Sequence, residues 1–425
     1  MAERNETTIN TKKRKRTGRM SDVLKKLRLQ NHELGDDCKC DRFKCFEMTS
    51  KDQRTRIISQ FNSFATRMDT CSICDEFQAE KKHFEIKIAS LSDGHEKSQI
   101  LSQLRKLEIE NLAHKKRAEV FYDKKRKARL RARQDATTIA IAMDFSKNLP
   151  VPNITTNDVY YKRQLSYFMF NVHVLADSSS YFYAYDESIG KKGSDDVASH
   201  LFHFICHEMD KQGKTLTIFC DSCGGQNKNY TIFRMLHYMV HCCNRLESVT
   251  VIFPIRGHSY MECDRNMAFI NQKARAELPE QWAEHVRGAR QRPKPFNVIE
   301  CSQDAFKGWT AFLKPFYKKA CPFPIRPVRE FRVQKEHPRL MFHRNFSNSQ
   351  WESSVVNTPA SFRYTKVGIH EGEFKLPDLA YQDKLTISTA KYNDLQFLKK
   401  FCRPEAKRYY NELRHAVNIK EPEDN

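Results

Sequence analysis

From Thr137 onward the chain alternates short apolar runs with amphipathic stretches. Thr137–Phe145 is β-rich, carrying Ile139, Ile141 and Met143 and then an acid, Asp144. A turn with Pro150 and Pro152 follows. Two further β-like runs, Tyr160–Val174 and Ser180–Tyr185, are joined by a polar turn. After the break at Gly190–Gly193, Asp195–Lys211 reads as a helix. Val197, Leu201, Phe204 and Ile205 lie on one face, and the acidic start suits the helix dipole. Thr215–Cys220 is a buried strand that again ends in an acid, Asp221. Tyr230–Cys243 is a helix burying Ile232, Met235, Leu236 and Met239. Ser248–Ile255 is a further strand, and a helix begins near Asp264. Upstream, Asp52–Met68 has Ile57, Ile58, Phe61 and Phe64 on one helical face, and residues 81–135 form a long helical region whose sole glycine is Gly94. Downstream, prolines crowd Pro322–Pro338, and Lys391–Leu413 reads as two helical pieces around Pro404.

The order from residue 137 is β-β-β-α-β-α-β-α. A doubly wound fold alternates strand and helix from the outset. Three strands followed by alternation is the ribonuclease H order, so the expected class is α/β with an RNase-H-like mixed sheet. A helical, cysteine-containing region precedes it and an irregular C-terminal extension follows.

That order would set Asp144 and Asp221 side by side at the sheet edge. Paired acids on rigid elements suit Mg²⁺ or Mn²⁺, which take carboxylate oxygens and keep several waters. Two such ions are what phosphodiester chemistry needs. The bland reading is that each acid marks a strand's end. Asp264 is the third candidate ligand, with an N-cap as its structural alternative and Glu262 and Glu277 as rivals. His258, in the Gly257-His258-Ser259 turn, is a candidate for phosphate or metal. Gln226, Asn227, Lys228 and Asn229 lie where a strand yields to a helix N-terminus beside two glycines, a setting that suits a scissile phosphate next to Asp221. Cys220 and Cys223 make a CxxC, but Cys220 is expected to point into the core and no second pair follows at finger spacing.

Composition adds a partner. The net charge is +21 and the charge is clustered, which points to a polyanion, nucleic acid above others. Lys12-Lys13-Arg14-Lys15-Arg16 reads as a nuclear import signal or a phosphate-binding arm. Between Asn111 and Asp135, ten Lys or Arg face three acids. Lys124, Lys125, Arg126, Arg129 and Arg133 belong to this group, and Arg126, Arg129 and Arg133 recur at helical spacing, as a stripe along a phosphate backbone would. The alternative is a long exposed helix, which is compatible with a homo-oligomer. No run of residues approaches the length of a membrane span. Five of fourteen cysteines (Cys38, Cys40, Cys45, Cys71 and Cys74) fall in the first 75 residues. Cys71 and Cys74 have zinc-knuckle spacing, with His83 or His114 as further ligands, so a structural Zn²⁺ is expected there.

The string Asp221-Ser222-Cys223-Gly224-Gly225-Gln226-Asn227-Lys228-Asn229 resembles the D-x-C-G-G-Q-N-K-N core of transposon-derived animal proteins. The likeness extends to Met143-Asp144-Phe145, Leu149-Pro150, Gly193–Ser199, Gly257-His258-Ser259, Asp264-Arg265 and the early cysteines, and so covers most of the chain. That family is similar to DDE transposases with an RNase-H-like catalytic domain. The resemblance implies Asp144, Asp221 and Asp264 as the metal-binding triad. Relatives often carry Ile-Glu where this chain has Ile270-Asn271, which implies a silent copy if that glutamate is the third ligand. The expected organisation is a disordered basic tail (1–35), a cysteine-containing nucleic-acid-binding region (36–135), a catalytic-type domain (136–290) and a C-terminal extension (291–425). The expected function is metal-dependent cleavage and strand transfer on DNA in the nucleus. The alternatives are a catalytically silent DNA-binding relic and a ribonuclease of the same fold.

Overall fold

The computed structural model describes residues 72–92, 94–356, 375–417 and 419. The chain divides into two compact units, residues 1–104 and 105–425. In the first, the described elements are α1 (Ser72–Ser90) and the opening turns of α2 (His95–Gln134). The helical region expected over 81–135 is thus broken near Gly94, where a helix pays most in backbone entropy. The helix expected at Asp52–Met68 lies outside the described residues. No helix among the described residues is long and apolar enough to cross a membrane.

In the second unit a strand series follows the end of α2. It comprises β1 (Thr138–Phe145), the short β2 (Leu149–Val151), β3 (Leu165–Val174) and β4 (Ser180–Asp186). Then come α3 (Ser194–His203, prolonged by a wider turn over Phe204–Glu208), β5 (Thr215–Cys220), α4 (Tyr230–His241), β6 (Ser248–Ile252) and α5 (Glu262–Met267). The sheet is mixed and the class is α/β. Its middle reads β6-β5-β1-β3-β4, with β1, β5 and β6 parallel and β3 antiparallel to both β1 and β4.

Why β1 sits in the middle follows from its side chains. Ala140, Ile141, Ala142 and Met143 are all fully buried, as a strand covered on both faces requires. Alternation sends Ile141, Met143 and Phe145 into the cluster with α3 and α4, packed with Leu201, Ile205, Met235 and Leu236. It sends Ala140 and Ala142 to the other face, against Phe121 of α2 and Phe219 of β5. Two alanines leave room for α2 to approach the sheet closely, and its Ala118 has no exposed surface.

The C-terminal part corrects an expectation. It is not an irregular extension, because it widens the sheet at both edges. After α6 (Pro279–Gly288), β7 (Phe296–Glu300) pairs parallel to β4. After the short α7 (Trp309–Leu313), β8 (Glu330–Gln334), β9 (Leu340–Arg344) and β10 (Glu352–Val355) continue outward from β6. These strands are short and carry Arg332, His343 and Arg344 among the apolar positions, so the proline density around them masks their period of two. The two helical pieces around Pro404 are α8 (Thr389–Leu398) and α9 (Pro404–Asn411). They close a second core with β2, β3 and α6 around Trp282, Leu395 and Tyr410.

Candidate active site

Met143 of β1 is paired with Cys220 of β5 in parallel register, so Asp144 and Asp221 leave the same sheet edge in adjacent positions. The backbone holds both. Phe145 donates its N–H to Asp144 Oδ1 at 2.8 Å. Asp221 Oδ1 accepts from Cys223 N–H at 3.2 Å and from Asn227 Nδ2 at 2.6 Å. Asp264 stands in the first turn of α5, where its Oδ2 accepts the Met261 N–H at 2.7 Å. It therefore fills the helix-capping role, and it also joins the two strand acids.

The electrostatics reveal the convergence. Burial pushes the Asp144 carboxyl well above the usual carboxylate range, and the charges of Asp221 and Asp264 push it further. The Phe145 amide and Lys192 only partly offset this. Asp264 keeps solvent-exposed area at the rim, yet its carboxyl is also raised, first by lost hydration and then by Asp221, against its backbone hydrogen bonds and Lys125. Three carboxylates gathered without matching cations repel one another, and a divalent cation removes that repulsion. The donor set is all oxygen, which suits Mg²⁺ or Mn²⁺ over zinc. Asn227 adds a second sign of a site built for a ligand: it is fully buried, and its Oδ1 has no donor among the described residues.

The rival acids lie elsewhere. Glu262 is buried under three cations, with Lys125, Arg129 and Arg265 at 2.7–2.9 Å, and is pulled down to about 2, although its burial acts the other way. Glu277 is held by Arg275 and by the backbone N–H of Arg403.

The Gln-Asn-Lys-Asn string divides by role. Asn227 positions Asp221. Asn229 caps α4, accepting the Ile232 N–H, and donates to the Gln226 carbonyl. Those two hydrogen bonds engage Asn229 within the loop itself. The Gln226 side chain is buried, while Lys228 reaches the Arg326 carbonyl at 2.8 Å and lies over the Phe253 ring. Cys220 points into the core, as expected, and burial raises its thiol.

His258 is buried beside His114, with ring centroids 4.9 Å apart. Lost hydration, then His114 and Lys115, lower it to about 4. Its surroundings thus disfavour the charged imidazolium. The cations of α2 divide between internal pairs and the surface. Lys125 and Arg129 are consumed by Glu262, and Lys124 pairs with Glu330, because this face of α2 covers the sheet. Arg126 turns to Asp123, and Arg133 donates to the Ala176 carbonyl at 2.8 Å. Of the early cysteines, Cys38, Cys40, Cys45 and Cys71 lie outside the described residues, as does the basic run at Lys12–Arg16. Cys74 lies in α1 and is buried.

Two features carried no sequence signal. Lys192, ahead of the Gly193 turn, donates to Asn148 Oδ1 and lies over Phe145 and Phe168, where its charge acts on Asp144. Beside Asp221 a cleft of about 650 Å³ opens between the loops around Arg256 and Arg326.

Residues 168–348 match a family model described as a domain of unknown function, DUF7869. The matched span runs from β3 to just past β9, so it contains Asp221 and Asp264 but not Asp144. The chain is similar to that family over these residues. No curated protein and no solved structure matches.

Proposed function

We propose that this protein is a DNA transposase-like or transposase-derived nucleotidyl-transfer protein with an RNase-H-like core. Asp144, Asp221 and Asp264 would be its metal ligands and DNA its partner. The observation that carries the reading is the meeting of Asp144 and Asp221 at the ends of adjacent parallel strands, with Asp264 close enough to raise Asp144. The sheet order β6-β5-β1-β3-β4, with three antiparallel-linked strands at one side, supports the RNase-H-like assignment. The excess positive charge supports a polyanionic partner, and the basic run at Lys12–Arg16 supports a nuclear location.

The three carboxylates would hold Mg²⁺ or Mn²⁺, which when bound supplies Lewis-acid activation of the attacking oxygen and charge relief at the leaving oxygen. Asn227 keeps Asp221 in its rotamer. The Phe145 and Met261 amides fix Asp144 and Asp264, so the ligands are oriented before metal arrives. Lys192 lies on the Asp144 side and moderates its charge. A structural Zn²⁺ on the early cysteines belongs to the same proposal.

A silent DNA-binding relic is the second reading, favoured by Asn271 standing where relatives carry glutamate. Asp264 in the carboxylate group weighs against it. Calorimetric titration of Mn²⁺ into wild type, Asp144→Ala, Asp221→Ala and Asp264→Ala tests the choice. Binding by wild type, weakened by each substitution, together with Mn²⁺-dependent nicking of a DNA substrate, is expected. A folded wild-type protein that binds no Mn²⁺, with and without DNA, would sink the catalytic reading.

A further inference from the structure

Two tight turns flank the cleft beside Asp221, and each carries an arginine at its second position. In the first, the His258 N–H bonds the Ile255 carbonyl at 3.1 Å. Gly257 sits at φ 83°, the left-handed value such a turn reserves for glycine, and Arg256 stands at the tip. In the second, the Val328 N–H bonds the Ile325 carbonyl at 3.1 Å and Arg326 stands at the tip, ahead of Pro327. Both arginines are exposed, and neither guanidinium has a hydrogen bond or ion pair among the described residues. By contrast, Lys124, Lys125, Arg129 and Arg265 are paired with carboxylates.

The turns are anchored. Lys228 holds the second through the Arg326 carbonyl, and Arg329 ties the strand beyond it to the Pro254 carbonyl at 2.8 Å. Four cations thus line the cleft, and Asp221 is the one carboxylate among its lining residues. Burial, and then the charge of Arg329, lower Lys228 to about 8.

We infer that this cleft is the seat of the phosphodiester backbone of a single DNA strand, with Arg256 and Arg326 as phosphate contacts on either side of the path to Asp221. The inference rests on the proposed reading of the site and adds to it a path: the strand lies between two turns, one from the loop after β6 and one from the proline-rich segment before β8. It also gives that segment a purpose, since a short proline-bounded turn holds Arg326 in place at little entropic cost when a strand binds.

The test is fluorescence anisotropy of a fluorescein-labelled single-stranded DNA 20-mer, in EDTA so that no metal contributes. It uses wild type, Arg256→Ala/Arg326→Ala and Arg256→Lys/Arg326→Lys, across a salt series. Each lost phosphate contact on a single strand removes about 0.7 from the slope of log affinity against log salt. The alanine pair is therefore expected to flatten the slope by about 1.4, which is about 25-fold weaker binding at 0.1 M salt. The lysine pair is expected to keep most of the slope. An alanine pair within twofold of wild type, with an unchanged slope, overturns the inference, and so does wild type that fails to bind the strand. Mn²⁺ calorimetry on the same variants keeps the two readings apart. The alanine pair should retain wild-type Mn²⁺ binding, and loss of Mn²⁺ binding in wild type would count against the carboxylate site while leaving the salt slopes to judge the cleft.

Discussion

Glu262→Gln is expected to cost far more stability than Lys125→Met, although the two residues share one ion pair. Both are buried, and the Lys125 ammonium lies 2.9 Å from Glu262 Oε2. Their proton affinities nevertheless move in opposed senses. Against burial, which acts the other way, Glu262 is pulled down to about 2 from its usual 4.5 by Lys125 and then by Arg265. Lys125 is pulled below the usual lysine range because burial outweighs its one carboxylate, and Arg265 and Arg129 repel it. The pair itself favours both charged forms, but net of burial and the neighbouring arginines the site favours the charged acid and not the charged lysine. The drop from 4.5 to about 2 corresponds to roughly 3 kcal/mol in favour of the native state. Because the folded value is the lower, that contribution is present above pH 4.5 and is lost as the pH falls towards 2. Removing the carboxylate at pH 7 also strands Lys125 in a dry site, which agrees with the roughly 3–5 kcal/mol typical of breaking a buried pair. Removing Lys125 leaves Glu262 two arginines and takes away a poorly solvated charge, so a cost below about 1 kcal/mol is expected. Urea unfolding followed by the fluorescence of the buried Trp282 and Trp309 measures both variants at pH 7 and pH 4. The double variant should recover part of the Glu262→Gln loss. Equal costs for the two single variants, or a Glu262→Gln cost under about 1 kcal/mol, would refute the assignment of the stabilisation to Glu262.

Three further outcomes follow from the site. Asp144→Asn should raise the melting temperature of the metal-free protein at pH 7, since the folded carboxyl is held above its unfolded value and its ionisation costs stability as the pH rises. The same variant should lose the gain of about 5 °C expected of wild type at Mn²⁺ a hundredfold over its Kd, read by differential scanning fluorimetry; an unchanged metal response would exclude Asp144 as a ligand. Asn227→Ala should weaken Mn²⁺ binding by about 10- to 100-fold through loss of the hold on Asp221, whereas Asn229→Ala should cost about 1 kcal/mol of stability and leave Mn²⁺ affinity alone; calorimetry and urea unfolding together separate the two asparagines. Mn²⁺ affinity should rise with pH beyond the point where an ordinary carboxylate site is saturated, because Asp144 surrenders its proton late, and a flat profile from pH 5 to 8 would contradict its raised proton affinity.

The middle of the sheet was legible in the sequence because its rules are local. Strands that end in Asp144 and Asp221 announce themselves by apolar runs of the right length, and parallel neighbours must release their last residues at one edge. Apart from the short β2 and a strand that starts at Leu165 and not at Tyr160, the order of elements from Thr138 to Met267 follows the pattern read from residue 137, down to the helix that brings Asp264. What was hidden depends on partners far away in the chain. Ten cations between Asn111 and Asp135 look like a phosphate-binding stripe until Glu262 and Glu330, well over a hundred residues downstream, are found to neutralise Lys125, Arg129 and Lys124. Charge counted along a helix cannot separate cations that balance internal acids from cations that await a ligand. The same blindness worked in reverse at Arg256 and Arg326. Each is a lone basic residue in a loop noted for other residues, and neither stands out until the turns around Gly257 and Pro327 set them on the two sides of one cleft. Burial sorts the cations that periodicity could not. Lys125 and Arg129, buried or half-buried against Glu262, serve the fold, and Arg256 and Arg326, exposed and without an ion pair among the described residues, stand beside Asp221 with charge to give to a phosphate.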